Sequence, residues 1–268
     1  MMKREVDENG LVADFFTESS MQPRKAILMV GGSEGGKSWS RVRTPIEILV
    51  QRGYSVLSLA YFKARGLPDT LQEIPLEYFE RAFDWLSAQA GIAPDAFALL
   101  GGSKGAEAAL LLGSKYPSVK AVIAFSPSSH VWQGIPGDRF ALVDDVRSSW
   151  TWEGEGLPFL PYPAHIHRRD LLMMRLRKMH EEALRDEAKA QNAAIPVENI
   201  QGAIMLISGT GDRLWPAAEM GERMMTRLTV NGFKYPHEHL VLDGGHNGIL
   251  MNRECWRRIF IFLEENFA

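Results

Sequence analysis

Short, continuously apolar runs alternate with amphipathic stretches along most of the chain. Residues 26–30 (Ala-Ile-Leu-Met-Val), 54–60, 96–101, 120–125, 202–209 and 235–242 are the runs. Runs apolar throughout, rather than at every second position, predict strands covered on both faces. Between them lie predicted helices. Residues 44–53 carry Pro45 in a first turn and Gly53 past the end, and residues 75–90 place Leu76, Phe79, Phe83 and Leu86 on one face. Residues 104–115, a stretch from Pro216 to Val230 and residues 253–267 complete the set. Strands alternating with helices predict an α/β fold with a mostly parallel sheet wrapped on both faces. One domain over residues 1–268 is the expectation, and residues 10–16 predict one or two peripheral strands.

The alternation breaks from Ser126 to about Asn199. This stretch holds five prolines between Pro127 and Pro163, then Trp132, Trp150 and Trp152, and a charged run over 168–191 that predicts a helix with a solvated face. So long an insertion between core strands is uncommon without a function, and a lid over an active site, at about 126–199, is the expectation.

One turn carries chemistry. Gly101-Gly102-Ser103-Lys104-Gly105 sits between a predicted strand and a predicted helix, the setting of a nucleophilic serine on a tight turn. Small neighbours allow unusual backbone angles and close packing of strand on helix. The backbone N–H of Lys104, at a helix N-terminus, suits a developing oxyanion, and the loop after the 26–30 strand is expected to supply a second donor, Ser33 first and Glu34 second. A serine hydroxyl needs a base, and the base an orienting carboxylate. Asp212 follows the 202–209 strand and His246 the 235–242 strand, in the order Ser, Asp, His expected of an α/β-hydrolase. His130, His165, His167, His180, His237 and His239 compete as bases, and Asp69, Asp138, Asp144 and Asp145 as acids.

Residues 31–38 spell G-x-x-x-x-G-K-S, the letters of a nucleotide-binding loop. Glu34 inside a phosphate cradle would repel the ligand, and Trp39-Ser40-Arg41 before Pro45 starts a helix poorly, so a loop that presents N–H groups to the active site is the preferred reading.

Composition changes the picture little. The chain has 268 residues, 46% hydrophobic, and a formal net charge of −3, which gives no ground for nucleic acid or an anionic membrane as partner. The one cysteine, Cys255, excludes an internal disulfide and a cysteine-based zinc site. His165-x-His167 has no third ligand at suitable spacing, so no metal is expected. The charged start, Met1 to Glu8, lacks an apolar signal core, and no run approaches the roughly 18 residues of a membrane span; a cytoplasmic location is the expectation.

With these residues assembled, the chain resembles the C-terminal catalytic domain of the acyl-CoA thioesterase and bile acid-CoA:amino acid N-acyltransferase family. The resemblance is carried by residues 99–107 (LLGGSKGAE), 195–200 (IPVENI), 211–215 (GDRLW) and Gly245-His246. It implies Ser103 as nucleophile, Asp212 as orienter and His246 as general base, with no cofactor. It also implies an acyl-CoA substrate, for whose phosphates Lys37, Arg41, Lys63, Arg65 and Lys104 are the basic residues near these loops. Animal members carry an N-terminal β-sandwich, which the residues before Ala26 are too few to form. The amino-acid-conjugating members use cysteine where Ser103 stands, which points to hydrolysis. A carboxylesterase or dienelactone-type hydrolase, a serine peptidase and a non-catalytic binding protein on the same fold remain alternatives. Acyl chain length and oligomeric state are left open.

Overall fold

In chain order the elements are β1 (Met2–Glu8), β2 (Leu11–Thr17), β3 (Arg24–Val30), α1 (Arg43–Gln51), β4 (Ser55–Ala60), β5 (Ile74–Pro75), α2 (Glu77–Ser87), β6 (Ile92–Gly102), α3 (Lys104–Lys115) and β7 (Val119–Phe125). Then follow β8 (Trp150–Trp152), β9 (Glu155–Gly156), α4 (Arg168–Leu172), α5 (Arg177–Ala183), α6 (Glu187–Ala193), β10 (Ala203–Gly209), α7 (Ala217–Val230), β11 (His237–Leu242) and α8 (Arg253–Asn266). They are taken from a computed structural model that describes residues 1–166 and 168–267.

Eight strands form one sheet in the order β1-β2-β4-β3-β6-β7-β10-β11. β1 and β2 pair antiparallel, as do β2 and β4, and every later pairing is parallel. The apolar runs are continuous because both faces are covered. Along β6, Phe97 and Leu99 enter one core while Ala98 and Leu100 enter the other. The first core holds α2, α3 and α7 through Phe79, Leu110 and Met224; the second holds α1 and α8 through Leu49 and Ile259. Each fully buried Leu, Ile or Phe removes enough apolar surface from water to contribute about 2 kcal/mol. The mainly parallel sheet flanked by helices is the one the alternation predicts.

One element goes beyond the expectations and one expectation needs correction. The charged start is a strand, β1, hydrogen-bonded to β2 at the sheet edge. Only Val6 of β1 is buried, so the hydrophobic signal of a strand is missing there. The charged run over 168–191 is three short helices, α4 to α6, and not one. Asp186 caps α6 by accepting from the Lys189 N–H, which restarts the helix after α5 has ended.

The insertion has two parts of different character. Its first part reaches into the core: β8 adds to β5, and Trp132, Trp150 and Leu160 are fully buried. α4 to α6 lie more peripherally, with Leu172, Met173 and Met174 exposed. Among the described residues no helix is long and apolar enough to cross a membrane.

Candidate active site

β6 ends at Gly102 and α3 begins at Lys104, so the whole strand-to-helix reversal falls on Ser103. Its φ of 56° and ψ of −120° are a conformation that side-chain-bearing residues rarely adopt, at a cost on the order of 1–3 kcal/mol. The Ser103 N–H donates to the Phe125 carbonyl, and its own carbonyl accepts from Ala106 and Glu107, which closes the first turn of α3. The flanking glycines do not take the strained angles; they allow close approach. A Cβ on Gly105 would run into the carbonyl oxygens of Val30 and Gly31, and one on Gly101 into the backbone of Gly105.

Asp212 and His246 come from the loops after β10 and β11. Asp212 is buried, and its Oδ1 accepts from the Leu214 and Trp215 N–H groups at 2.8 and 3.3 Å. The second oxygen, Oδ2, lies 2.7 Å from His246 Nδ1. A carboxylate only accepts, so Nδ1 carries a proton, and in the neutral ring Nε2 bears the lone pair. That Nε2 is buried and has no hydrogen-bond partner among the described residues, Ser103 included. The His246 carbonyl accepts from Ser126 Oγ at 2.7 Å, and the Trp215 ring stands edge-on to the imidazole at 5.5 Å.

Ser103 and His246 line one cavity of about 210 Å³. The insertion supplies much of its wall, including Ile135, Leu142, Tyr162, Leu171 and Met179. Of the two expected second donors, Ser33 lines this cavity. Glu34 lines a smaller pocket that Ser103 also borders, beside Trp39 and Asn247, and its carboxylate accepts the Gly32 N–H at 2.9 Å.

The side chain of Lys104 is buried and paired with Glu107, its Nζ 2.8 Å from Oε2 and 2.9 Å from Oε1. Glu107 Oε1 also accepts from the Trp132 N–H at 3.1 Å and from Trp150 Nε1 at 2.8 Å. Burial raises the pKa of Glu107 and lowers that of Lys104, while their attraction opposes both shifts. Sequence reasoning missed this pair as a functional support. Its signal was a carboxylate in the otherwise apolar run 106–112, three residues after a lysine.

Among the described rival bases only His180 shares the cavity. Its Nδ1 donates to the Leu176 carbonyl at 2.9 Å, and its ring packs edge-on to Trp132, Tyr162 and Trp215. Burial pushes its pKa down to about 4, so at neutral pH it is an uncharged ring with Nε2 as acceptor. His130 bonds Ser129, His237 the Tyr235 carbonyl, and His165 lies 3.1 Å from Glu182. His167 lies outside the described residues. His239 joins Ser208 and Glu222, both at 2.9 Å, repeating a serine, histidine, carboxylate series. Ser208, however, is fully buried within β10 and does not line the Ser103 cavity. Among the rival acids, Asp138 caps a 3₁₀ turn by accepting from Phe140, and Asp145 pairs with Arg147.

The loop spelled like a nucleotide site is built otherwise. Lys37 lies 2.7 Å from Glu5 Oε1 and 2.9 Å from Asp14 Oδ1, and a 3₁₀ turn, Ser38–Arg41, follows instead of an α-helix. Two of the basic residues expected near a phosphate are therefore committed elsewhere, Lys37 to the N-terminal hairpin and Lys104 to Glu107.

Comparison with known proteins places the chain in a family and a fold. The family described as BAAT / Acyl-CoA thioester hydrolase C terminal matches residues 74–249. Human acyl-coenzyme A thioesterase 1 is 25% identical over 233 residues, 84% of this chain and 49% of that protein. Mouse acyl-coenzyme A amino acid N-acyltransferase 2 is 28% identical over 237 residues, 86% and 51% respectively. The chain thus spans about half the length of the curated relatives it matches. Among solved structures, an alpha/beta hydrolase from Penicillium superposes with a TM-score of 0.65 at 17% identity, covering 100% of this chain and 99% of that one. A Pyrococcus furiosus esterase does so with a TM-score of 0.63 at 17% identity, covering 100% and 94%. At that identity the likeness is one of fold, and it is the α/β-hydrolase fold. On the match to most of its length, the chain belongs to the BAAT / Acyl-CoA thioester hydrolase C-terminal family.

Proposed function

We propose that this protein hydrolyses acyl-CoA thioesters by acyl transfer through Ser103. The observation that carries the reading is the buried, unpartnered Nε2 of His246, fixed as an acceptor by Asp212 and lining the cavity of Ser103. In this reading His246 Nε2 takes the Ser103 proton as Oγ attacks the thioester carbonyl. The oxyanion is held by the N–H of Lys104, whose place at the start of α3 leaves it without an intrahelical acceptor, and by that of Ser33. As the C–S bond breaks, the imidazolium returns the proton to the thiolate. Water then attacks the acyl-serine with His246 again as base, releasing the acid and restoring Ser103.

The family match and the thioesterase relatives support the substrate, and the cavity wall built by the 126–199 insertion supports a lid that shapes the acyl site. The test is turnover of an acyl-CoA series together with fluorophosphonate labelling. Labelling and turnover that Ser103→Ala abolishes are the expected result. Turnover of simple esters with none of any acyl-CoA would overturn the substrate, and activity unchanged in Ser103→Ala would overturn the mechanism.

A further inference from the structure

Outside the wall of the Ser103 cavity the surface forms an open groove of about 470 Å³, lined by Asp170, Arg175, Arg177, Lys178 and Arg213. Two chain segments make the partition between groove and cavity. Along residues 174–178, Met174 and Leu176 line the cavity while Arg175, Arg177 and Lys178 line the groove. In the second segment Leu214 lines the cavity and Arg213 the groove. The Arg177 N–H donates to the Arg213 carbonyl at 2.9 Å, which ties the segments together.

The charges are unevenly used. Arg177 is engaged by Glu181 at 2.7 Å, by Glu219 and by the Asp212 carbonyl at 3.3 Å. Arg175, Lys178 and Arg213 are exposed and make no ion pair among the described residues. Among the described residues that line the groove, Asp170 is the carboxylate. A local excess of positive charge on a chain of net charge −3 concentrates anions where it is focused by a concave surface. Multiply charged phosphate oxygens satisfy several such donors at once, with charge-assisted hydrogen bonds.

We propose that Arg175, Lys178 and Arg213 form a subsite for the phosphate groups of the leaving group. The acyl chain then occupies the apolar cavity, its thioester lies at Ser103, and the phosphorylated thiol crosses the partition at Leu176 and Leu214. This rests on Ser103 as the reacting residue and assigns the basic groove, in place of Lys37 and Lys104, to the anionic part of the substrate. It makes a thioester of a phosphorylated thiol a better substrate than the same acyl group on a thiol without phosphates.

The experiment compares one acyl group carried on CoA and on N-acetylcysteamine, which has no phosphate. In the Arg175→Ser/Lys178→Ser variant the ratio of kcat/KM for the first over the second is expected to fall about tenfold, the loss of surface charge-assisted contacts. Raising NaCl from about 50 to about 500 mM is expected to lower that ratio in the parent and to lower it less in the variant, which keeps Arg213. Calorimetry on Ser103→Ala with adenosine 3′,5′-bisphosphate reads the groove without turnover, and the two groove substitutions are expected to weaken binding by a similar factor. An unchanged ratio, or bisphosphate binding that is absent or insensitive to the substitutions, overturns the subsite. Bisphosphate binding lost in the groove variant while neither thioester is hydrolysed supports the subsite and overturns the hydrolase reading.

Discussion

The carboxylate of Glu107 lies 2.8 Å from the Lys104 ammonium, with both side chains withdrawn from solvent in the first turn of the helix that follows Ser103. Glu107 is simultaneously the acceptor for Trp132 and Trp150, so the helix that carries the Ser103 turn and the insertion that walls the cavity meet on one carboxylate. Removing one partner of a buried pair leaves an uncompensated charge, a loss of about 3–5 kcal/mol. Lys104→Met is expected to fall in that range, read from urea midpoints. Pairing it with Glu107→Leu removes the stranded charge but leaves the Trp132 and Trp150 donors unpaired, at about 1–3 kcal/mol each. The double variant is therefore expected to remain less stable than the parent; a single variant within 1 kcal/mol of the parent would contradict the account.

Ser103 holds its angles against a steric penalty that glycine does not have. Ser103→Ala and Ser103→Gly both lack the hydroxyl and differ in strain. The glycine variant is expected to be the more stable of the two by about 1 kcal/mol, the strain relieved less the added entropy of the unfolded chain. Equal melting temperatures would show that the turn is not strained.

Asp212→Asn keeps an oxygen for the Leu214 and Trp215 donors but replaces the acceptor that sets the His246 tautomer. A fall in kcat of about 10⁴, with KM little changed, is expected from steady-state kinetics. A loss confined to KM would place Asp212 in substrate binding instead.

Two histidines couple stability to pH. Burial pushes His130 and His180 down to about 4, with the Arg223 and Arg227 charges adding to the effect at His130. An unfolded imidazole near 6.5 binds its proton where these native rings do not. Stability from them is complete above pH 6.5 and is lost as pH falls towards 4, on the order of 3 kcal/mol for each. Urea titrations between pH 4.5 and 7 are expected to show a shallower slope in His130→Gln than in the parent; parallel slopes would rule out its contribution.

The core strands and the Ser103, Asp212 and His246 loops were legible because each depends on local signals. Continuous apolar runs marked strands covered on both faces, and small residues marked the turns at their ends. β1 was not legible, since an edge strand with only Val6 buried leaves no hydrophobic trace. Glu107 was quoted in a motif without a role because its partners Trp132 and Trp150 lie 25 and 43 residues away. The same distance hid the groove. Arg175 and Lys178 read as a solvated helix face until α4 and α5 separated and Arg213 arrived from the loop after β10.

The two parts of the insertion differ in how freely they can vary. A substitution at Trp132 or Trp150 reaches Glu107 and, through α3, the central sheet, so folding itself constrains those positions. Leu171, Met174, Leu176 and Met179 belong instead to short helices and their link, and Leu214 to a surface loop. The cavity wall at these five positions can therefore be changed without touching the contacts that tie the insertion to the central sheet. If the proposed acyl transfer at Ser103 holds, libraries that diversify these five cavity-lining positions alone are expected to alter acyl selectivity, read from turnover across an acyl-CoA series.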